Sequence, residues 1–225
     1  MTRSRARFVA LLLAGGAALG LAARSLDLLP GMPGELAGLV SSVGAWGFVA
    51  VLTGFLAGSP LRGAIGGGVV LLVASLLYYA ISFASGAWQT QFYDATTNTP
   101  FPDQGLTVLV RSCLLWCAAS VVGGPALGVS GALIRGGRAR VAAVAAGVAG
   151  GMLATPALTL LCSIRFQDST ASLLELAVVV VGTAILFARR DGRRLWPAFA
   201  VALAVTAIVA TIATTALTSS QAMGF

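Results

Sequence analysis

The 225-residue sequence contains neither histidine nor lysine. Without histidine it has no Ser-His protease site, no histidine-ligated haem and no histidine-based metal centre. Without lysine it cannot form the Schiff base that holds retinal in seven-helix retinal proteins. It also has no Walker A loop, which excludes a nucleotide-driven pump made by this chain alone.

Charged side chains are scarce as well. They make up 9% of the chain, against roughly 25% in soluble domains. Hydrophobic residues make up 58%, and the mean hydropathy is +0.94. Because so few charges cannot solvate a globular surface, lipid is expected to cover much of it. We therefore predict an all-α, polytopic transmembrane helical bundle that forms a single domain over residues 1–225.

Long apolar runs divide the chain into its predicted helices. Runs of about 17 to 25 residues have the length of a helix that crosses a bilayer. The runs lie at residues 8–23, 36–57, 63–84, 106–133, 140–162, 171–188 and 196–217. We predict about seven spans from them. The first run, with its preceding arginines, also resembles a secretory signal, and whether it is cleaved stays open.

The positions of the arginines predict the orientation of the spans. Arginines precede the first run and then lie in every second connection: Arg3, Arg5, Arg7, Arg62, Arg135, Arg138, Arg140, Arg189, Arg190, Arg193 and Arg194. Basic residues are retained on the cytoplasmic side, so the N-terminus is expected there, in a multi-pass protein of a bacterial cytoplasmic membrane. The net charge of +7 is therefore attributed to arginines that orient the chain in the lipid bilayer, which is its expected partner. Binding of nucleic acid is not expected.

Cysteine and glycine are the small residues of interest within the runs. Cys113, Cys117 and Cys162 all lie in apolar segments and are expected to be packing residues. Further metal ligands are scarce, so no metal is expected. No organic cofactor is expected either. The Gly-Gly dipeptide before Pro125 predicts a kink or a break in the fourth helix, although glycines also let helices pack closely in lipid.

The long connection 86–105 is either a lid or an interfacial aromatic belt.

Glu175 is the acid placed most clearly inside an apolar run, in the segment SLLELAVVVV. An ionisable group at such a depth costs free energy and usually faces the protein interior, which makes it a functional candidate. Arg111 lies at a comparable depth, so a structural ion pair with Glu175 is one interpretation. The other is a protonated Glu175 that donates its proton to a lipophilic substrate.

Further site residues come from a second acid and from the aromatic side chains. Asp27, just past the end of the first run, is the second candidate acid. Aromatic faces attract cations, so aromatic residues are candidates to line a site. The predicted substrate-binding residues are Trp46, Tyr78, Tyr79, Trp88, Phe92, Arg111 and Trp116.

Two resemblances add to this interpretation. The segments WGFVAVLTGFLAG…PLRGAIGGGVVLLVASLLYYA and LLWCAASVVGGPALGVSGALIRGG resemble a family of small bacterial integral membrane proteins of unassigned function, over about residues 40–190. In size, span number and few buried acids, the chain also resembles bacterial membrane-bound terpene cyclases of indolosesquiterpene pathways. That resemblance implies cyclisation of a farnesyl chain on a lipophilic isoprenoid substrate, started by protonation of an alkene or epoxide.

The leading hypothesis is therefore a proton-initiated terpene cyclase that needs no metal. Glu175 or Asp27 would be the general acid, and the aromatic residues would stabilise the carbocation in a cavity that excludes water. The first alternative is a small-molecule or ion permease, or a subunit of one, with its site at the Gly-Gly-Pro segment and an Arg111–Glu175 pair. A non-catalytic membrane scaffold is the second. The oligomeric state stays open.

If Glu175 is the proton donor, Glu175→Gln should abolish turnover while the protein stays folded, because the amide has the size of the acid but no acidic proton. The measurement is cyclisation of a prenylated indole by detergent-purified protein. The circular dichroism of the variant is the control for folding. Full turnover by the variant would remove Glu175 from the mechanism.

Overall fold

The computed structural model describes residues 3–29, 33, 38–90, 102–162, 169–188 and 195–222. Within these ranges the chain is helical and contains no strand. The helices are α1 (Arg3–Leu28), α2 (Val43–Ala57), α3 (Pro60–Ala84), α4 (Pro102–Gly136), α5 (Ala139–Cys162), α6 (Ser169–Ala188) and α7 (Trp196–Ala222), with a 3₁₀-helix at Ala87–Thr90.

The lengths and surfaces of these helices suit a membrane. Four of the described helices are long and apolar enough to cross a membrane. Their apolar segments are Ala6–Leu28, Pro60–Ala84, Asp103–Gly136 and Ala139–Leu160. Each of the seven predicted runs overlaps an α-helix, but α2, α6 and α7 have shorter apolar segments. Leu115 and Val122 of α4 are 67% and 75% exposed, as lipid-facing side chains would be. The structure thus supports a helical membrane protein, while seven spans and their orientation stay predictions.

The packing of the helices centres on α4. This helix packs against α2, α3 and α5, while α1 lies on α3, and α5 packs against α6 and α7. Much of the core consists of alanine: Ala50, Ala74, Ala146 and Ala149 are completely buried. Such small side chains let the helices approach one another closely.

The second predicted run, 36–57, is not one continuous helix. The chain turns at Ser41 and Ser42, and α2 begins only at Val43. Ser42 is the N-cap, because its hydroxyl oxygen accepts a hydrogen bond from the N–H of Ala45 at 3.1 Å. With 15 residues, α2 is about 22 Å long. It is therefore shorter than the hydrocarbon core of a bilayer, which is roughly 30 Å thick.

The predicted break in the fourth run is not formed. Helix α4 continues without interruption from Pro102 to Gly136, with Pro125 inside it. Proline lacks the N–H that a helix interior needs, so its own preference is to interrupt the helix. Here α3 packs directly against this turn: a Cβ atom on Gly68 would lie 3.2 Å from the Pro125 ring. Tertiary packing accounts for the continuous helix.

Glycines bring α2, α3 and α4 into backbone contact. Gly63 and Gly67 of α3 face Gly128 and Gly124 of α4, and Gly54 of α2 also faces Gly128. A methyl group on any of these glycines would overlap a carbonyl oxygen of the opposite helix. The glycine-rich sequence of these helices therefore serves close helix packing, as in other membrane bundles.

Gly128→Ala should lower the free energy of unfolding by about 1–3 kcal/mol, because the new methyl group would press on the Gly63 carbonyl. The matched control is Gly123→Ala in the same helix, where the methyl group would meet open space. Alanine favours the helix over glycine, so the control should keep or raise stability. Thermal unfolding in detergent measures both, and equal melting temperatures would contradict the packing described.

Candidate functional site

An aromatic cavity of about 80 Å³ lies where α2, α3 and α4 meet. Its walls are Trp46 of α2, Tyr78 and Tyr79 of α3, and Trp116 of α4, together with Ser41. All four aromatic residues are predicted site residues. The structure brings them together from three separate helices, and we call this space the aromatic cavity.

The rings around the aromatic cavity are set at steep angles to one another. The centroid of Trp46 lies 6.0 Å from that of Tyr78, at an interplanar angle of 78°, and 6.3 Å from that of Trp116, at 48°. Tyr78 and Tyr79 lie 5.2 Å apart at 76°. Edge-to-face packing is a favourable arrangement for aromatic side chains. It places several π systems around one small volume.

Two polar groups of this cluster already have hydrogen-bond partners. The indole Nε1 of Trp46 donates to the carbonyl oxygen of Val40 at 2.9 Å. The hydroxyl of Tyr78 donates to Oδ2 of Asp27 at 2.6 Å. Trp46 is 8% exposed, so packing and a hydrogen bond together hold its ring in place. Trp46 and Tyr78 therefore contribute ring surface to the aromatic cavity.

Asp27 lies at the end of α1, beside the aromatic cavity. Its Oδ1 accepts a hydrogen bond from the Ser41 hydroxyl at 2.9 Å, and its Oδ2 accepts the one from Tyr78. Both donors belong to residues of the cavity wall. An ionised carboxyl group can only accept hydrogen bonds, and this arrangement uses both oxygens in that way. Asp27 is itself exposed, and these two hydrogen bonds hold its carboxyl group beside the wall.

Glu175 of α6 is 6% exposed and has a different environment. Its Oε1 accepts a hydrogen bond from the backbone N–H of Gly44 at 2.7 Å. Gly44 lies in the first turn of α2, where N–H groups have no partner within the helix. The positive end of the helix dipole also favours a negative charge there. The burial of Glu175 is explained by this contact, and Glu175 does not line the aromatic cavity.

Gly44 permits the contact because it has no side chain. A Cβ atom there would lie 2.8 Å from Cγ of Glu175 and 2.9 Å from Val179. Sequence reasoning missed Gly44 and Ser41 because the run 36–57 was interpreted as one span. The signal that was available is the Ser-Ser pair before an apolar run, which is typical of a helix N-cap.

The opposite end of α2 meets an arginine. Nη1 of Arg135, in α4, donates to the carbonyl oxygens of Phe55 and Leu56, at 3.2 and 2.9 Å. These carbonyls belong to the last turn of α2, where carbonyl oxygens have no N–H donor within the helix. A cation also suits the negative end of the helix dipole. Side chains of α6 and α4 thus satisfy the two ends of this short helix.

An ion pair between Arg111 and Glu175, one of the two interpretations of the sequence, is not formed. Oε1 of Glu175 accepts the hydrogen bond from the Gly44 N–H instead. Arg111 is exposed on α4 and does not line the aromatic cavity. The physical reason is that a backbone N–H in the first turn of α2, and not a guanidinium group, is the hydrogen-bond donor to Glu175.

A second cavity, of about 380 Å³, shares Tyr78 and Tyr79 with the aromatic cavity. Trp88 of the 3₁₀-helix, another predicted site residue, lines it and stacks on Phe83 with centroids 6.0 Å apart. Its other walls are Arg24, Ser82, Val108, Leu109 and Ser112. Phe92, also predicted, lies outside the described residues, as does much of the connection 86–105.

The chain belongs to the family of unknown function DUF6518, which matches residues 1–221. No curated protein and no solved structure matches the chain. The family match covers nearly the whole sequence, including every predicted site residue. It carries no information on terpene cyclisation, so that resemblance stays a prediction.

Glu175→Leu should lower the free energy of unfolding by about 1–3 kcal/mol, because the buried N–H of Gly44 would lose its acceptor. Glu175→Gln keeps an acceptor oxygen but removes the charge that suits the dipole of α2, so the expected loss is only about 0.5–2 kcal/mol. Denaturation in detergent, followed by circular dichroism, measures both.

The matched control for this pair of variants is Leu173→Ala, since Leu173 is 53% exposed in the same helix. It should change stability little. A Glu175→Leu variant as stable as the wild type would show that the start of α2 does not depend on this carboxylate.

Proposed function

We propose that this chain is a membrane protein that binds a small organic cation, an ammonium or alkylammonium group, as the recognition site of a permease. The observation that carries the proposal is the aromatic cavity, with aromatic side chains from three helices around it and Asp27 hydrogen-bonded to Tyr78. Aromatic cages recognise ammonium groups because the negative face of each ring attracts positive charge.

The volume of the aromatic cavity limits the size of the ligand. Drug-sized molecules occupy clefts of about 300–1,000 Å³. A cavity of about 80 Å³ admits a group the size of a methylated ammonium ion, and it would have to expand several-fold to enclose a farnesyl chain. Any longer substituent on the cation would extend out of the aromatic cavity.

The charge of Asp27 supports a cation over a neutral or anionic ligand. Its carboxylate accepts hydrogen bonds from Tyr78 and Ser41, which both line the aromatic cavity. Asp27 is exposed, so water screens its charge, but the charge lies one hydrogen bond from the cavity wall and still attracts a cation there. Hydrogen bonding from the phenol to a carboxylate also polarises the Tyr78 ring, which strengthens its attraction for a cation.

Proton-initiated cyclisation is the second candidate function. The gathering of Asp27 with four aromatic side chains favours it, because the same ring faces would stabilise a carbocation. A general acid, however, must present a proton within hydrogen-bond reach of the substrate. Both oxygens of Asp27 accept hydrogen bonds, and Glu175 accepts one from Gly44 away from the cavity. Cation binding therefore has the stronger support.

Trp116→Leu should weaken the binding of tetramethylammonium by about 5- to 30-fold, since a cation–π contact in a desolvated site contributes about 1–2 kcal/mol. Isothermal calorimetry on detergent-purified protein measures the Kd. The matched control is Trp196→Leu, because Trp196 packs against Phe187 and Phe199 and does not line the aromatic cavity. It should leave the Kd unchanged.

The outcome that would contradict this proposal is the absence of saturable binding of any alkylammonium ion, or the same loss of affinity in both tryptophan variants. Uptake of the bound cation into proteoliposomes then tests the permease. Turnover of a prenylated indole, in the assay given for Glu175, would support the cyclase in its place.

A further inference from the structure

The second cavity has an arginine in its wall. It lies between α1, α3, the 3₁₀-helix and α4 and has a volume of about 380 Å³. Arg24 of α1 brings its guanidinium group to this cavity, and Trp88, Val108 and Leu109 give it an apolar side. None of these residues except Trp88 was a predicted site residue.

The guanidinium group of Arg24 is only partly satisfied. Its Nη2 donates to the Ser85 hydroxyl at 3.3 Å, and its Cζ lies 5.7 Å from the centroid of the Tyr78 ring. Its Nε is buried and has no hydrogen-bond partner among the described residues. Asp27, on the same helix, directs its oxygens to Ser41 and Tyr78 instead. Arg24 therefore forms no ion pair with this described carboxylate.

An arginine in this situation is costly. It lies near the end of the apolar segment Ala6–Leu28, and although the residue as a whole is half-buried, its Nε is enclosed. A buried guanidinium N–H without an acceptor adds a desolvation penalty. Asp27, the described carboxylate nearest along α1, bonds to Ser41 and Tyr78, so an anionic ligand in the cavity would give the buried Nε of Arg24 an acceptor.

We propose that this second cavity binds an anionic oxygen group, a phosphate or a carboxylate, through Arg24. The planar fork of a guanidinium group matches two oxygens of such a group. Ser112 adds a hydroxyl to the same wall, and the apolar part of the ligand lies against Val108 and Leu109. This cavity and the proposed cation site are two neighbouring spaces. Tyr78 and Tyr79 stand between them and line both.

The position of the cavity limits where its ligand comes from. It lies at one end of the bundle, since α1 ends at Leu28, α3 ends at Ala84 and α4 begins at Pro102. In a membrane-spanning bundle this end is near the lipid headgroups, where tryptophans such as Trp88 are common. The anionic group therefore belongs either to a phospholipid headgroup or to a soluble phosphate or carboxylate.

The test uses the full chain in dodecyl maltoside micelles, with the melting temperature as the readout. One arm adds phosphatidylglycerol and compares it with diacylglycerol, which lacks the phosphate. The other arm adds inorganic phosphate and compares it with chloride at the same ionic strength. We expect at least one arm to raise the melting temperature by several degrees, because a ligand that binds only the folded state stabilises it. The arm that does so identifies the source.

Two variants decide whether the shift comes from Arg24. Arg24→Gln should abolish it, whereas Arg111→Gln, which removes an exposed arginine outside the cavity, should keep it. No shift in either arm, or the same shift in Arg24→Gln as in the wild type, overturns the proposal.

A further pair of variants covers the case in which Arg24→Gln does not fold. Val108→Trp keeps the arginine but fills the cavity, so it should also abolish the shift, and a retained shift would overturn the proposal. Trp116→Leu changes the aromatic cavity and not this one, so it should keep the shift. Because ammonium binding and this shift are measured separately and respond to different variants, failure of the cation proposal can be distinguished from failure of this one.

Discussion

The hydrogen bond from the Gly44 N–H to Glu175 holds the start of helix α2, and the site beside that start depends on it. Helix α2 has only 15 residues, which is too short to span a bilayer. The backbone groups at its ends therefore need partners within the protein. Glu175 supplies an acceptor at one end and Arg135 supplies a donor at the other. These two charges stabilise opposite ends of one helix dipole.

The same helix start positions the aromatic cavity. Trp46 follows Gly44 in the first turns of α2 and packs against Tyr78 and Trp116. Asp27 secures this end as well, through Ser41 in the turn before α2 and through Tyr78. Two carboxylates thus have different tasks. Glu175 holds the helix, and in the function we propose Asp27 lends its charge to ligand binding.

Much of the fold and part of the site could be predicted from the sequence. Apolar runs coincide with helices because a long apolar segment in lipid has few other ways to satisfy its backbone. Trp46, Tyr78 and Trp116, which were predicted as site residues, line one cavity. The partner of Glu175 could not be predicted, because depth along a helix does not determine which groups of other helices face it. Its acceptor oxygen meets a backbone N–H, which leaves no mark in the sequence apart from the absence of a side chain at Gly44.

The most direct test of the aromatic cavity as a cation site is a crystal structure of the protein soaked with tetramethylarsonium, whose arsenic atom is located by anomalous scattering. We expect an anomalous peak enclosed by Trp46, Tyr78 and Trp116, within about 6 Å of the ring centroids. A peak at another position, or no peak at a saturating concentration, would contradict the cation site.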